Sequence, residues 1–257
     1  MAKISVYTTI LNGVFMEYLV PECVLSCLNF ADEIVVVDGG SEDRTHEIYQ
    51  NLSQKHPKIK LYTHHWHEGS HLAFAEQKEC ARRLCTGDWL IRLDHDECFH
   101  EKNAKDIRDL AETGKENAYR FPRVNFYRYP ELYKPDPHDT AGYMYMYRNN
   151  PILHHQFSIG NLDGIKTQNG SEYDTGKRIP NIHVYHYGYV RRLEIMQYKE
   201  KRINYHFRDV YPEATKYKEG NTKLFEWDMT GAVLFSETHP KVMEARNTHF
   251  SIYTSQK

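Results

Sequence analysis

The segment over residues 32–45, DEIVVVDGGSEDRT, limits the possible folds more than any other part of the chain. Its three consecutive valines make a strand that is apolar on both faces, as in a parallel sheet covered by helices. Asp38 and Gly39 then begin a turn in which glycine permits close approach of the backbone to a ligand. Glu42 and Asp43 suit the first turn of a helix. This order predicts an α/β fold with a ligand site where the strand ends.

Hydrophobic periodicity extends this pattern over the first hundred residues. It predicts strands over 4–10, 33–38, 59–63 and 89–93, separated by helices over 21–29, 45–54 and 71–84. Short aromatic-rich strands are predicted over 119–127, 143–148 and 182–187, and a long helix over 191–207. We therefore expect a mixed, mostly parallel sheet flanked by helices, in one domain over 1–190 with a helical extension over 191–257 packed on it.

Composition argues against several classes of protein. The 33 Lys and Arg against 35 Asp and Glu give a formal net charge of −2, so no overall field attracts nucleic acid. The five cysteines include no CxxC pair, which argues against a disulfide framework and a thiolate zinc site. The longest aliphatic run is the four residues 34–37, and the N-terminus lacks a signal-peptide pattern. We expect a cytoplasmic protein.

A second motif, GDWLIRLDHDECF over 87–99, brings acids together at the end of an apolar strand. Residues i and i+2 of an extended segment point the same way, so Asp94 and Asp96 project to one side. Two such carboxylates suit Mg²⁺ or Mn²⁺, which keeps its other positions for water and the oxygens of a diphosphate. Glu97 adds a third acid within four residues, and a cation would relieve their mutual repulsion.

Together these segments resemble the family 2 glycosyltransferases of the GT-A fold, and most closely their lipopolysaccharide-core glucosyltransferase-like members. The resemblance is carried by 32–45, by WHEG at 66–69 with EQK at 76–78, and by GDW at 87–89 with the DXD-type DHDE at 94–97. It covers residues 3–100 well and the rest loosely. It implies a Rossmann-like sheet with a nucleotide-sugar-binding half over 1–100 and an irregular acceptor half over 101–190.

The resemblance also implies roles for individual residues. The residues that it implies for binding the nucleotide-sugar are Thr8, Thr9, Asp38, Gly39, Lys78 and Asp94. Lys78 would approach the diphosphate of a UDP-, GDP- or dTDP-sugar. Asp94 would help to hold the ribose or the metal, and Asp96 would bind Mn²⁺ or Mg²⁺ directly. One departure is Asn12-Gly13, where many relatives carry Asn-Glu, so the contact ascribed to that acid lacks its residue here.

An inverting transferase needs a general base for the acceptor hydroxyl, and in this family the base is usually an acid from the acceptor side. The sequence offers Asp139, Asp163, Glu172 and Asp174. We favour Asp163 as the catalytic base, because GNLDG over 160–164 places it in a predicted turn after the strand over 143–148. A structural Asx turn is the alternative interpretation.

Of the 16 histidines, His186 is the strongest candidate for the site. In HVYHYGY over 183–189 it lies near a glycine that allows close approach. It is predicted to complete the metal shell or to contact the diphosphate, with a structural hydrogen-bonding role as the alternative. His64, His65 and His67 lack the i, i+4 spacing and the cysteine partner of a zinc site, so we expect them to pack around the donor.

The helix predicted from residue 191 is strongly basic. Its basic residues up to 208 are Arg191, Arg192, Lys199, Lys201, Arg202 and Arg208. Such a surface suits an anionic or lipid-linked acceptor, and peripheral contact of 191–208 with the inner face of a membrane. A solvated helix packed on the sheet is the alternative.

The leading hypothesis is an inverting, metal-dependent hexosyltransferase of polysaccharide biosynthesis. It would move a sugar from a nucleotide-sugar donor to a glycan or lipid-linked acceptor. A nucleotidyltransferase of similar fold and a non-catalytic glycan-binding relative remain open, although residues 8–13 supply no Gly-rich loop with a basic residue after the first strand. A methyltransferase would leave the DHDE segment unexplained.

Overall fold

The computed structural model describes residues 1–135, 142–158, 161–167, 176–207, 210 and 225–251. The first part contains β1 (Ile4–Ile10), α1 (Glu22–Leu25), β2 (Glu33–Asp38), α2 (Thr45–Lys55), β3 (Ile59–Thr63), α3 (Ala73–Arg83), β4 (Trp89–Arg92), β5 (Glu97–Phe99) and α4 (Ala104–Thr113). The strands that follow are β6 (Ala118–Phe121), β7 (Arg123–Tyr127), β8 (Tyr129–Lys134), β9 (Tyr143–Arg148), β10 (His154–Ser158), β11 (Asn161–Lys166), β12 (Lys177–Arg178) and β13 (Val184–Tyr189). The last elements are α5 (Leu193–Phe207), β14 (Val233–Leu234) and α6 (Glu244–Phe250).

The central sheet has the strand order β12-β6-β9-β4-β1-β2-β3. Its strands β4, β1, β2 and β3 are parallel neighbours, while β9 runs antiparallel between β4 and β6. Every residue of β2 is buried, as its run of valines predicts. Because the parallel strands end at one edge, Asp38 and the residues that follow β4 come to the same side of the sheet.

A second sheet, β14-β8-β7-β13-β5, shares a hydrophobic core with the first. The single strand predicted over 119–127 is wrong, because β6 ends before Pro122 and β7 begins after it in the other sheet. Proline has no N–H for a sheet ladder, so the chain changes sheets at this residue. In the second sheet β13 runs antiparallel to β5 and pairs His186 with Glu97. This pairing brings the predicted histidine beside the DHDE segment.

The turn predicted over 160–164 is also wrong, because Asn161–Lys166 forms β11 and pairs with β10. The polar sequence HHQFS of β10 gives little periodicity, so the sequence does not predict β10. Without a predicted partner strand, the glycines and Asn161 around Asp163 favoured a turn over β11. The hairpin is fixed to the central sheet where the Tyr7 hydroxyl lies 2.6 Å from His155 Nε2 and 2.7 Å from the Tyr147 hydroxyl. Asp163 therefore belongs to a strand.

The C-terminal part contributes to both the second sheet and the cavity described below. Val233 and Leu234 form β14 against β8, so this part of the chain is not only helical. Within the described residues, no helix is both long enough and apolar enough to span a membrane.

Candidate active site

A cavity of about 800 Å³ lies where the carboxyl ends of β1 and β4 meet the second sheet and α5. The charged side chains that line it are Lys78, Arg92, Asp94, Asp96, Arg120, Arg123, Lys199, Glu200 and Arg202. Basic groups therefore outnumber acidic groups along its described walls, which suits a substrate carrying phosphate. The carboxylates that could hold a metal lie within this basic lining.

Asp94 faces Lys78 across the cavity wall. Its Oδ1 accepts a hydrogen bond from the Lys78 ammonium at 2.5 Å, and its backbone N–H donates to Glu97 Oε2 at 2.9 Å. The Lys78 side chain is only 7% exposed, although it lines the cavity. The two residues that the resemblance assigns to the metal and the diphosphate are thus brought together.

Asp96 has two cationic partners from the C-terminal part of the chain. Its Oδ2 accepts hydrogen bonds from Arg191 Nη2 at 2.8 Å and from Lys199 Nζ at 3.3 Å. Burial alone would raise the pKa of Asp96, but the positive charges of Lys199 and Arg191 hold that pKa well below its usual range. Asp96 is therefore a fully charged carboxylate in a buried position.

His186 is placed beside Asp96 with a defined tautomer. Its Nδ1 lies 2.8 Å from Asn125 Oδ1, which can only accept, so Nδ1 carries the hydrogen. Burial lowers the pKa of His186 to about 3 against the opposing charge of Asp96, and the ring is neutral with a lone pair on Nε2. A Cβ at Gly188 would lie 2.3 Å from that Nε2 and 3.0 Å from Asp96 Oδ2, so only glycine leaves this space open.

This donor set fits a divalent cation. His186 Nε2 and Asp96 Oδ1 face each other at 3.6 Å with no hydrogen between them. A histidine that donates its other ring N–H, as His186 does to Asn125, is the usual metal-binding arrangement. In the described parts of the chain, no three His, Cys, Asp or Glu side chains form a ready-made metal site. The cation would thus take few protein ligands and complete its shell with water and phosphate oxygens.

Glu97 contacts Asp94 on one side and the second sheet on the other. The sequence showed it as the third acid of the DHDE segment but assigned it no contact. Its Oε1 accepts hydrogen bonds from the Tyr145 hydroxyl at 2.6 Å and forms an ion pair with Arg123 at 2.7 Å. Arg123 also lies 4.2 Å above the Tyr143 ring and lines the cavity. The buried Glu97 therefore contacts both Arg123 of the second sheet and the backbone N–H of Asp94.

The two threonines predicted to contact the nucleotide lie in different surroundings. Thr9 lines the cavity, whereas Thr8 is buried with its hydroxyl 2.7 Å from His95 Nδ1. That nitrogen also lies 2.9 Å from the Thr9 carbonyl, and His95 Nε2 lies 2.6 Å from the Tyr49 hydroxyl. Burial lowers the pKa of His95 to about 4, so this neutral ring fixes the end of β1 against the DHDE segment.

Asp38 closes its own turn. Its Oδ1 accepts hydrogen bonds from the N–H groups of Gly40 at 3.1 Å and Ser41 at 2.8 Å, and its Oδ2 lies 2.9 Å from His46 Nδ1. The carboxylate is fully buried, and neither Asp38 nor Gly39 is among the described lining of the cavity. The contacts predicted for these two residues with a nucleotide stay predictions.

The candidate general bases are less well defined by the structure. Asp139, Glu172 and Asp174 lie outside the described residues. The backbone of Asp163 lies in β11, and its side chain is outside the description. The next two residues of that strand, Gly164 and Ile165, line the cavity. The strand that carries Asp163 therefore borders the site.

The basic helix turns much of its charge inward. Arg191, just before α5, and Lys199 contact the DHDE segment, and Arg202 pairs with Glu68 at 3.0 Å while lining the cavity. Arg208 lies outside the described residues. The sequence showed this concentration of charge but not its direction, because the acids that these side chains contact lie 95 to 134 positions earlier in the chain.

The histidines near residue 66 lie in a loop held by hydrogen bonds, and their packing around the donor stays a prediction. Gln77 donates hydrogen bonds to the carbonyls of His64 and His65, at 2.8 and 3.0 Å. His67 lies 2.8 Å from the carboxylate of Glu76. These contacts fix the loop before α3, whose Trp66 lines the cavity.

The family model described as glycosyl transferase family 2 matches residues 5–167. An uncharacterized glycosyltransferase of Rickettsia typhi is 27% identical over 119 residues, which cover 46% of this chain and 36% of that protein. Another, of Rickettsia bellii, is 30% identical over 100 residues, which cover 39% of this chain and 31% of that protein. This chain thus matches well under half the length of these curated relatives.

Solved structures show the same fold at low identity. Staphylococcus aureus TarS 1–349 has a TM-score of 0.51 and 14% identity, covering 84% of this chain and 75% of that chain. The mannosyltransferase PcManGT from Pyrobaculum calidifontis, in complex with GDP-Man and Mn²⁺, has a TM-score of 0.51 and 14% identity, covering 83% of this chain and 65% of that chain. The predicted GT-A fold is confirmed. Because its family model matches more than half of the sequence, the chain belongs to glycosyl transferase family 2.

Proposed function

We propose that this protein is an inverting, divalent-metal-dependent glycosyltransferase that moves a hexose from a nucleotide-diphosphate-sugar to a glycan or lipid-linked saccharide. The observation that carries the proposal is the pairing of Asp94 and Asp96 with Lys78 and Lys199 at the edge of one basic cavity. A diphosphate needs both a cation and positive side chains, and this cavity provides carboxylates for the one and lysines for the other.

Asp96 and His186, with Asp94, would hold Mn²⁺ or Mg²⁺. Such an ion supplies Lewis-acid charge that stabilises the leaving diphosphate without any proton transfer. In support of this assignment, PcManGT, which shares the fold, was solved with GDP-Man and Mn²⁺. The sequence pattern resembles most closely the lipopolysaccharide-core glucosyltransferase-like members of the family. The proposal takes this resemblance no further and does not name the acceptor from it.

The remaining steps fall to the protein's own groups. Lys78 would neutralise charge that builds on the leaving oxygen, since a lysine is a compact point charge suited to phosphate. Asp163 would accept the proton of the acceptor hydroxyl, because its strand borders the cavity at Gly164 and Ile165. One displacement of this kind inverts the configuration at the anomeric carbon.

Arg123 lies on the wall of the cavity formed by the second sheet, where an acceptor would approach. Its contacts with Glu97 and Tyr145 fix the guanidinium in place, so we propose that it orients the acceptor. Membrane contact through 191–208 is not part of the proposal. Arg191, Lys199 and Arg202 of this segment pair with acids of the fold.

A thermal-shift screen tests the proposed donor class. UDP, GDP, dTDP and their sugars are tested with Mn²⁺ and with EDTA, because a ligand that binds only the folded state raises the melting temperature. We expect one nucleotide class to raise it when Mn²⁺ is present. No shift with any nucleotide would contradict the proposal, and a shift with a nucleoside triphosphate but no nucleotide-sugar would favour a nucleotidyltransferase.

A single substitution then tests the base. Asp163→Asn keeps the size of the side chain but removes the proton acceptor, so turnover should fall at least 100-fold while nucleotide binding is unchanged. Full turnover of this variant would place the base at another acid, and the same substitution at Asp139, Glu172 and Asp174 would locate it.

A further inference from the structure

The two carboxylates of the DHDE segment are each held by a lysine, and the lysines come from different parts of the fold. Lys78 of α3 contacts Asp94 at 2.5 Å, and Lys199 of α5 contacts Asp96 at 3.3 Å. Both lysines line the cavity. The family resemblance gives Lys78 a role, whereas nothing in it assigns one to Lys199.

The surroundings of Lys199 differ from those of a structural ion-pair partner. Arg191 already bonds Asp96 at 2.8 Å, is fully enclosed, donates to the Met16 carbonyl and lies 4.2 Å over the Tyr18 ring. The Lys199 side chain is 23% exposed, and its contact with Asp96 is longer than the 2.7–2.9 Å usual for ammonium and carboxylate. Lys199 can therefore leave Asp96 while Arg191 stays and keeps the carboxylate compensated.

We infer that Lys199 is a second diphosphate-binding residue: its ammonium contacts Asp96 in the free protein and turns to a phosphate oxygen of the donor when a metal occupies the carboxylate. The inference rests on the proposed function. Lysine has three rotatable donors on a flexible stem, so it can change partner without movement of the helix. Two lysines, one from each side of the DHDE segment, would then contact the diphosphate.

The inference predicts that Lys199→Ala weakens the binding of nucleoside diphosphate but does not weaken the binding of Mn²⁺. The variant loses an ammonium–phosphate contact, so nucleoside diphosphate in the presence of Mn²⁺ should bind roughly 10- to 100-fold more weakly. Asp96 loses a competitor for the metal, so Mn²⁺ alone should bind at least as tightly as to the wild type. A weaker nucleotide affinity would then not result from a lost metal.

The test measures UDP and GDP with Mn²⁺ by isothermal titration calorimetry, and Mn²⁺ alone by electron paramagnetic resonance. Lys199→Arg keeps the charge and should bind the diphosphate within about threefold of the wild type. Lys201→Ala is the matched control, since Lys201 lies on the same helix and is exposed. Lys199→Gln provides a second neutral variant if the alanine variant unfolds, and melting temperatures verify the fold of each.

The results separate this inference from the proposed function. Wild-type affinity for the diphosphate in both Lys199→Ala and Lys199→Gln would overturn the inference and leave the proposed function standing. An equal loss in Lys201→Ala would also overturn it. Failure of the wild-type protein to bind any nucleoside diphosphate would overturn the proposed function and the inference with it.

Discussion

Arg191→Met tests whether the buried ion pair with Asp96 holds the site together. The substitution removes the guanidinium but keeps an unbranched apolar side chain in the same enclosed space beside Tyr18. Asp96 loses its 2.8 Å partner, and the Met16 carbonyl loses a donor at 3.1 Å. Of the described cations that contact Asp96, Lys199 at 3.3 Å remains.

The expected loss of unfolding free energy depends on how much positive charge remains beside the Asp96 carboxylate. Breaking a buried pair by removing one partner usually costs roughly 3–5 kcal/mol of unfolding free energy, because a buried charge is left uncompensated. Lys199 stays beside Asp96, so we expect the low end of that range, about 3 kcal/mol at pH 7. Because the substitution also removes the guanidinium, no unpaired positive charge is left buried to add to this cost in unfolding free energy.

The loss should depend on pH in a defined direction. In the wild type the pKa of Asp96 is held below its unfolded value, so its stabilisation is fully present above the ordinary aspartate pKa of about 3.9 and is lost as pH falls below it. The variant has less of this stabilisation. Because the unfolded-state pKa of Asp96 is common to both proteins, the difference in their unfolding free energies should not grow as pH falls from 7, and it should shrink once pH falls through the pKa of Asp96 in the folded variant.

Urea denaturation of both proteins at pH 7 and pH 4 measures this difference. The matched control is Arg192→Met, because Arg192 is 58% exposed and pairs with Glu17 at the surface. Exposed pairs contribute no more than about 1 kcal/mol. A cost for Arg191→Met no larger than for Arg192→Met, or a difference that grows in acid, would refute this account of Asp96.

Two further substitutions test the supports of the site. Gly188→Ala would place a Cβ 2.3 Å from His186 Nε2, so we expect a loss of about 1–3 kcal/mol in unfolding free energy and weaker Mn²⁺ binding in thermal-shift titrations; unchanged values would contradict the close packing. Tyr7→Phe removes a buried hydroxyl shared by His155 and Tyr147, so it should cost about 1–3 kcal/mol in urea denaturation and increase hydrogen exchange in β10. Exchange that rises equally in β3 would indicate general loosening rather than release of the hairpin.

The parallel part of the fold could be predicted closely from local pattern. The strands β1, β2 and β3 have the predicted bounds. β2 is an apolar run that ends at Asp38, and β1 and β3 are rich in β-branched and aromatic residues. The helix predicted over 21–29 is shorter, since only Glu22–Leu25 is helical and the following residues form hydrogen-bonded turns. Periodicity identified the element but not its end.

The strands after residue 100 were harder to predict because they pair across long separations in the sequence. β13 pairs with both β5 and β7, and the partner of His186 in the first pair is Glu97. The sequences of these three strands do not indicate which strands pair with each other. Pro122 could have signalled the change of sheet, since proline cannot continue a ladder inside a sheet.

The same limit applies to the candidate site. The sequence predicted that Asp94 and Asp96 project to one side of an extended segment with His186 near them, and all three line the cavity. The segment is not extended, however, because β4 ends at Arg92 and the Glu97 N–H bonds the Asp94 carbonyl at 2.9 Å in a turn. The sequence did not predict which cation approaches each carboxylate, because Arg191 and Lys199 reach Asp96 only through tertiary packing. Their common basic segment was interpreted as an outward surface, whereas the structure directs these two side chains inward.

A crystal structure of the protein soaked with Mn²⁺ and the nucleoside diphosphate found in the screen tests the central claim most directly. The account predicts an anomalous manganese peak in contact with Asp96 and His186, with the diphosphate bridging from that peak to Lys78. A nucleotide bound away from this cavity, or a manganese peak that contacts neither Asp96 nor His186, would contradict it.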